Sequence, residues 1–187
     1  MHQGDPATSG IHSEDTGIGS VFVSNYPPFS AWSADDLPRV MDTLRTPAAD
    51  PGAPLGLYLH IPFCRKRCEF CYFRVYTDKN AQEIGRYTEA LAREVELYGG
   101  MPRTAGRPLD FVYFGGGTPS FLSTSQLQGL VSRLTALTPW TSAEEITFEC
   151  EPGTLSETRV HTLQELGVTR LSLGVENFND SILQDNG

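Results

Sequence analysis

No run of the 187-residue chain is apolar for long enough to cross a membrane, which takes about 20 such residues. Basic charge is scarce: 14 Lys and Arg stand against 23 Asp and Glu, a formal net charge of −9 at pH 7. Duplex binding needs a basic footprint, so nucleic acid is not expected as the main partner. Cysteine is sparse, four in all, and the N-terminus carries no apolar signal-peptide core. Both features speak against a secreted disulfide framework. With reduced thiols and no export signal, the expected compartment is the cytoplasm. The glycine run Gly115-Gly116-Gly117 is followed by Thr-Pro-Ser and no lysine, unlike the phosphate-cradling GxxxxGK[ST] loop.

Three of the four cysteines, Cys64, Cys68 and Cys71, crowd into HIPFCRKRCEFCYF with the spacing C-x3-C-x2-C. A [4Fe-4S] cluster is normally held by four thiolates, so three leave one iron free to bind something else. That points to a reactive cluster rather than a plain electron carrier. Structural zinc is the competing reading, but such sites close with four protein ligands, usually as two separated pairs. The remaining cysteine, Cys150, is distant and lies in a strand-like run, which leaves His60 as a fourth ligand for zinc. Arg65-Lys66-Arg67 is the main basic exception in an acidic chain. It reads as a solvated surface run, or as charge that offsets a negative cluster or meets an acidic electron donor.

Residues 1–20 are rich in Gly, Ser, Thr, Asp and His and read as a disordered tail. Residues 21–54 read as an N-terminal arm and linker: an extended aromatic stretch at Asn25–Trp32, then the Pro- and Ala-rich TPAADPGAP at 46–54. Regular structure starts at Leu55. Strands are expected at 55–62, 109–114, 145–150 and 170–175. Between them, apolar stripes mark helices over 81–98, around Leu127–Leu137, and from Ser156 as N-cap to Gly167 as C-cap. Strands alternating with helices imply parallel β/α units. The expected fold class is α/β, a partial (β/α) TIM-type barrel with its first four strands only. A complete eightfold barrel takes about 250 residues. The sequence stops just after the fourth strand, so 55–187 is expected to be the N-terminal part of an incomplete core domain.

Alternation along each strand sorts the side chains. Leu57, Leu59 and Ile61, then Ile146, Phe148 and Cys150, then Leu171, Leu173 and Val175, are expected to pack on the outer helices. Tyr58 and His60, Thr147, Glu149 and Glu151, and Ser172, Gly174 and Glu176 are expected to face the interior. His60, Glu149, Glu151 and Glu176 fall near strand C-terminal ends, where active sites of such barrels form. The cysteine loop and the glycine turn follow the first and second strands at that end. Glycines there permit a tight turn and close backbone approach to a ligand. Cys150, on the helix-facing side, reads as a buried structural thiol.

Taken together, LYLHIPFCRKRCEFC (57–71), YFGGGTPS (113–120), EITFECEP (145–152) and RLSLGVENFN (170–179) resemble the radical S-adenosylmethionine (SAM) superfamily. Within it they resemble the oxygen-independent coproporphyrinogen III oxidase-like family, which includes haem chaperones and radical methyltransferases. The resemblance covers about Leu55 to Asn179 in family order. It implies that Cys64, Cys68 and Cys71 hold a [4Fe-4S] cluster, whose fourth iron takes the methionyl amino and carboxylate groups of SAM. Gly115, Gly116, Gly117 and Thr118 would form the turn that contacts that methionyl part. Tyr58 and Phe70 would lie beside the cluster and adenine, and Glu149 would bind a polar SAM group such as a ribose hydroxyl. Glu176 would complete the cofactor-binding set. The implied activity is reductive cleavage of SAM to methionine and a 5′-deoxyadenosyl radical that acts on a small organic or tetrapyrrole substrate. A flavodoxin- or ferredoxin-type donor would supply the electron. Two departures set the chain apart. Phe73 stands where the true coproporphyrinogen oxidases carry a further cysteine, and Glu176 where they carry Gln. The Tyr72-Phe73 pair and the NYPPFSAW arm also differ from the haem chaperones. Methyl transfer or cyclopropanation, haem chaperoning, and an inactive fragment are the other functions this resemblance leaves open.

Overall fold

Strands and helices alternate along the chain in a computed structural model that describes residue 31 and residues 33–71, 73–138 and 140–185. The tail expected over 1–20, the aromatic arm apart from Ala31, and Tyr72 lie outside those residues. The chain divides into two compact units, residues 1–43 and 44–187. In the first, Ser33 caps a short 3-10 turn, Ala34–Asp36, by accepting from the Asp35 N–H. Helix α1 (Leu37–Arg45) follows directly, its last two residues counted in the second unit. It occupies part of the segment expected to be arm and linker rather than helix.

The second unit carries β1 (Gly56–Ile61), α2 (Ala81–Gly99), β2 (Phe111–Gly116), α3 (Thr124–Leu137), β3 (Glu145–Cys150), α4 (Glu157–Glu165), β4 (Arg170–Leu173) and α5 (Asp180–Asp185). The four strands form one parallel sheet in chain order, as the first four strands of a (β/α) barrel would. Side-chain caps set where the helices begin. Asn80 and Glu83 make a capping box on α2, Ser123 and Gln126 another on α3, and Ser156 accepts from the Arg159 N–H on α4. Among the described residues no helix is long and apolar enough to cross a membrane.

One face of the sheet is the core. Leu59, Ile61, Val112, Phe114, Ile146 and Phe148 are buried there among apolar side chains of α2, α3 and α4. The opposite face carries Tyr58, Tyr113 and Thr147, which the strand register places side by side.

Three expectations are corrected. β2 runs two residues later than 109–114, because Gly115 and Gly116 pair with His60 and Ile61. Those glycines therefore belong to the strand end rather than to a turn beyond it. β4 stops at Leu173 rather than Val175. One more backbone bond forms, from Gly174 N–H to Cys150 O, and the chain then turns away through Glu176, which has φ of +59°. The apolar face of β4 is not packed as expected: Leu173 is 50% exposed, and Leu171 and Val175 are each 37% exposed. Leu171 borders only a shallow cleft beside Val160 and Leu163 of α4.

Candidate functional site

Because all four strands are parallel, the connections leaving their C-terminal ends gather on one side. The first is the cysteine loop. Its root is a parallel bridge between Phe63 and Tyr76, with Cys64 N–H bonded to Tyr76 O at 3.1 Å. Cys64 is buried, while Cys68 and Cys71 are half-buried, and all four cysteines of the chain are free thiols. The loop closes on itself twice: Cys71 N–H donates to Cys68 O at 3.1 Å and Arg67 Nη2 donates to Cys71 O at 2.7 Å. Phe70 projects from it, 54% exposed.

The second connection, which leaves β2 at Gly117, packs directly on the first. Thr118 Oγ1 donates to Cys64 Sγ at 3.4 Å. Gly117 N–H bonds to Ile61 O and Thr118 N–H to Phe63 O, both at 2.9 Å. A β-carbon on Gly117 would come within 2.9 Å of Cys64 Sγ. Gly116 has φ of +118°, and a β-carbon there would strike the His60 ring at 2.7 Å. Gly115 faces the Tyr58 and Tyr113 rings and the Glu149 carboxylate at similarly close range.

The third strand supplies Glu149. Its Oε1 accepts from Tyr113 Oη at 2.7 Å and its Oε2 from Gly116 N–H at 3.1 Å. Tyr58 stacks on Tyr113, ring centroids 5.8 Å apart, and its hydroxyl lies 3.3 Å from His60 Nδ1. Burial, then the Glu149 carboxylate and Tyr113, push the Tyr58 phenol up to about 12. Burial lowers the His60 pKa despite Glu149 nearby, so the imidazole is neutral at pH 7. Tyr58 and Tyr113 thus form an aromatic floor with a carboxylate anchored at its edge. Tyr113 carries no role in the sequence analysis; its place two residues before Gly115 on an alternating strand is the available signal.

Burial raises the Cys64 thiol pKa, with the Thr118 hydrogen bond opposing it. Burial and then Cys71, Glu176 and Glu151 raise that of Cys68. Cys71 and Cys68 both act on Cys64, and Cys71 acts on Cys68, so the three thiols share one neighbourhood. Yet among the described residues no three His, Cys, Asp or Glu side chains converge on a point that would hold a single metal ion. His60 is turned to Tyr58 and Gly116 instead of completing such a site. Separated thiols around one locus fit a polynuclear cluster, where each thiolate takes its own iron, better than a mononuclear ion. Glu176 enters from the fourth connection on left-handed backbone, near enough to act on Cys68. Such backbone at a non-glycine residue is a marker of functional sites. Cys150 lies apart on the core face, its thiol pushed up to about 11 by burial.

A cleft of about 500 Å³ is elsewhere. It lies at the opposite strand ends and is lined by Leu55, Leu57, Tyr98, Arg107 and Leu137 among others. The chemistry-bearing side chains are instead spread over the open C-terminal end of the sheet.

Residues 58–187 match the family model described as the Radical SAM superfamily. The chain is 29% identical over 161 residues to the oxygen-independent coproporphyrinogen III oxidase of Synechocystis sp., covering 86% of this chain and 34% of that protein. It is 34% identical over 131 residues to the haem chaperone HemW of Escherichia coli, covering 70% of this chain and 34% of that one. The solved structure of coproporphyrinogen III oxidase from Escherichia coli, described as a radical SAM enzyme, superposes with a TM-score of 0.72 at 30% identity. That match covers 87% of this chain and 37% of the other, so the four-strand sheet corresponds to part of that protein's fold. The chain spans about a third of the length of the curated relatives it matches.

Proposed function

The chain belongs to the radical SAM superfamily, and we propose that it forms the cofactor-binding part of an iron–sulfur enzyme that cleaves SAM reductively. The substrate class we assign is a small organic molecule or tetrapyrrole, in keeping with the coproporphyrinogen oxidases to which the chain is similar. A flavodoxin- or ferredoxin-type protein would deliver the electron, in a reducing compartment such as the cytoplasm. The observation that carries the reading is the packing of the glycine turn on the cysteine loop. Thr118 and Gly117 both lie against Cys64 Sγ, at the end of the sheet where Glu149 is anchored.

In this reading Cys64, Cys68 and Cys71 hold a [4Fe-4S] cluster and Gly116–Thr118 receive the methionyl part of SAM. When bound, the cluster supplies the single electron for cleavage to methionine and a 5′-deoxyadenosyl radical. The chain's own residues position and shield. Tyr58 and Phe70 offer partly exposed rings for the adenine and the cluster's surroundings. Glu149, held by Tyr113 and the Gly116 N–H, presents a fixed carboxylate edge to a ribose hydroxyl. Glu176 reaches the Cys68 side from the fourth connection. Raised thiol pKa values at Cys64 and Cys68 mean that cluster assembly releases protons, so loading is favoured as pH rises.

The test is production of 5′-deoxyadenosine by the anaerobically reconstituted, reduced chain. Cys68→Ala is expected to abolish it, and unchanged turnover in that variant would sink the assignment. Similarity to proteins named haem chaperones supports a second reading, in which the cluster is kept and haem is bound. Stoichiometric haem binding with a shifted Soret band, without SAM cleavage, would select it.

A further inference from the structure

Glu151 is tied to two other connections at the site. Its backbone N–H donates to Ser120 Oγ at 3.1 Å, and Ser120 is fully buried. Thr154 Oγ1 donates to the same Ser120 hydroxyl and to Glu151 O, and Arg159 Nη1 donates to the carbonyls of Ser120 and Leu122. These bonds fix the backbone at the end of β3 to the glycine-turn connection. The Glu151 side chain reaches the other way: its Oε1 accepts from Arg65 Nη2 at 3.1 Å. Arg65 is the residue after Cys64. Of the basic triplet Arg65-Lys66-Arg67, Arg65 is paired with a carboxylate of another connection, while Arg67 donates to the Cys71 carbonyl.

Both side chains are substantially exposed, at 67% for Arg65 and 38% for Glu151. An ion pair so exposed contributes little to folding stability. Its position gives it another consequence. Arg65 directly follows Cys64, and its guanidinium holds the Glu151 carboxylate at 3.1 Å, so a positive and a negative charge both stand beside the cysteine loop. A negative charge beside a redox centre opposes an added electron there, and a positive one favours it.

We infer that Arg65 and Glu151 are positioning residues whose opposed charges set the reduction potential of the cluster held by Cys64, Cys68 and Cys71. The inference rests on the cluster reading given above and extends it to regulation of the same site. The couple is the one-electron step from [4Fe-4S]²⁺ to [4Fe-4S]⁺, with dithionite as the reductant in the titration. Glu151 opposes that step and Arg65 assists it.

The experiment is a dithionite titration of the reconstituted full chain, followed by EPR, with iron content measured in parallel. Glu151→Gln should shift the midpoint to more positive potential and Arg65→Gln to more negative potential. The double variant should return close to the unsubstituted value. Glu145→Gln and Arg170→Gln are the controls. They break a pair of the same chemistry at the other end of β3, roughly 20 Å away at the strand's rise per residue, and should leave the midpoint where it was. Unmoved midpoints in Arg65→Gln and Glu151→Gln with the cluster retained would overturn the inference alone. So would equal loss of cluster in both, which is what a purely structural loop tie predicts. An unsubstituted chain that takes up no cluster would overturn the proposed function and this inference with it.

Discussion

At Gly117 an added β-carbon would lie 2.9 Å from Cys64 Sγ, 3.0 Å from Phe63 O and 3.1 Å from Ile61 O. Two of these three neighbours are backbone atoms at a strand end, so they cannot swing aside. Gly117→Ala should destabilise the chain by about 1–3 kcal/mol, the usual penalty of overpacking. It should also lower iron uptake, because the strain falls on a cluster ligand. Chemical denaturation together with iron content checks this, and native values of both would contradict it. Cys150 provides a contrasting case. Its thiol is held up at about 11, chiefly by burial, whereas the unfolded thiol has the ordinary value of 9.0. As pH rises from 9 toward 11 the unfolded chain ionises first, so folding stability declines across that window. Apo Cys150→Ala should lose less stability between those pH values than the parent, as read from denaturation midpoints. Parallel declines would remove the assignment of Cys150 as a buried, inert thiol.

At the scale of elements, α4 is short, and its start is fixed by Ser156 accepting from the Arg159 N–H at 3.3 Å. Ser156→Ala should cost about 1 kcal/mol, as loss of an N-cap does. Because Arg159 on the same turn also anchors Ser120 and Leu122, the loss should be felt in the glycine-turn connection. Faster amide exchange at Leu122 is the signature to look for. The C-cap of α4 is Leu166, one residue before the expected Gly167, which follows it with φ of +85°. Ser156 and the limits of β3 were legible because cap chemistry and alternation are local. The β2 shift was not: Gly115 and Gly116 look like a turn in sequence, and only pairing with His60 and Ile61 makes them strand. The cysteine loop and glycine turn were legible as a pair from spacing and order, and so was the interior face of Tyr58 and Glu149. What was hidden was long-range, namely the Arg65–Glu151 pair, the buried Ser120 hydroxyl and the Tyr113 bond to Glu149. Each joins residues more than 30 positions apart, beyond the reach of any local pattern.

At the scale of the whole molecule, a four-strand parallel sheet covered on one face leaves β4 with no strand partner on its outer side among the described residues. Leu173, the last residue of that strand, is 50% exposed, and Leu171 is 37% exposed. Open edges with apolar neighbours invite pairing between chains. Leu173→Lys should reduce concentration-dependent self-association in sedimentation experiments without changing helix content, and unchanged association would place the contact elsewhere. The same sheet gathers the cysteine loop, the glycine turn, Glu149 and Glu176 at one end, where we propose a cluster with an iron open to SAM. The most direct measurement is EPR of the anaerobically reconstituted and reduced chain, recorded with and without SAM. The expected result is a [4Fe-4S]⁺ signal that changes when SAM is added. A cluster signal indifferent to SAM, or no cluster at all, would contradict it.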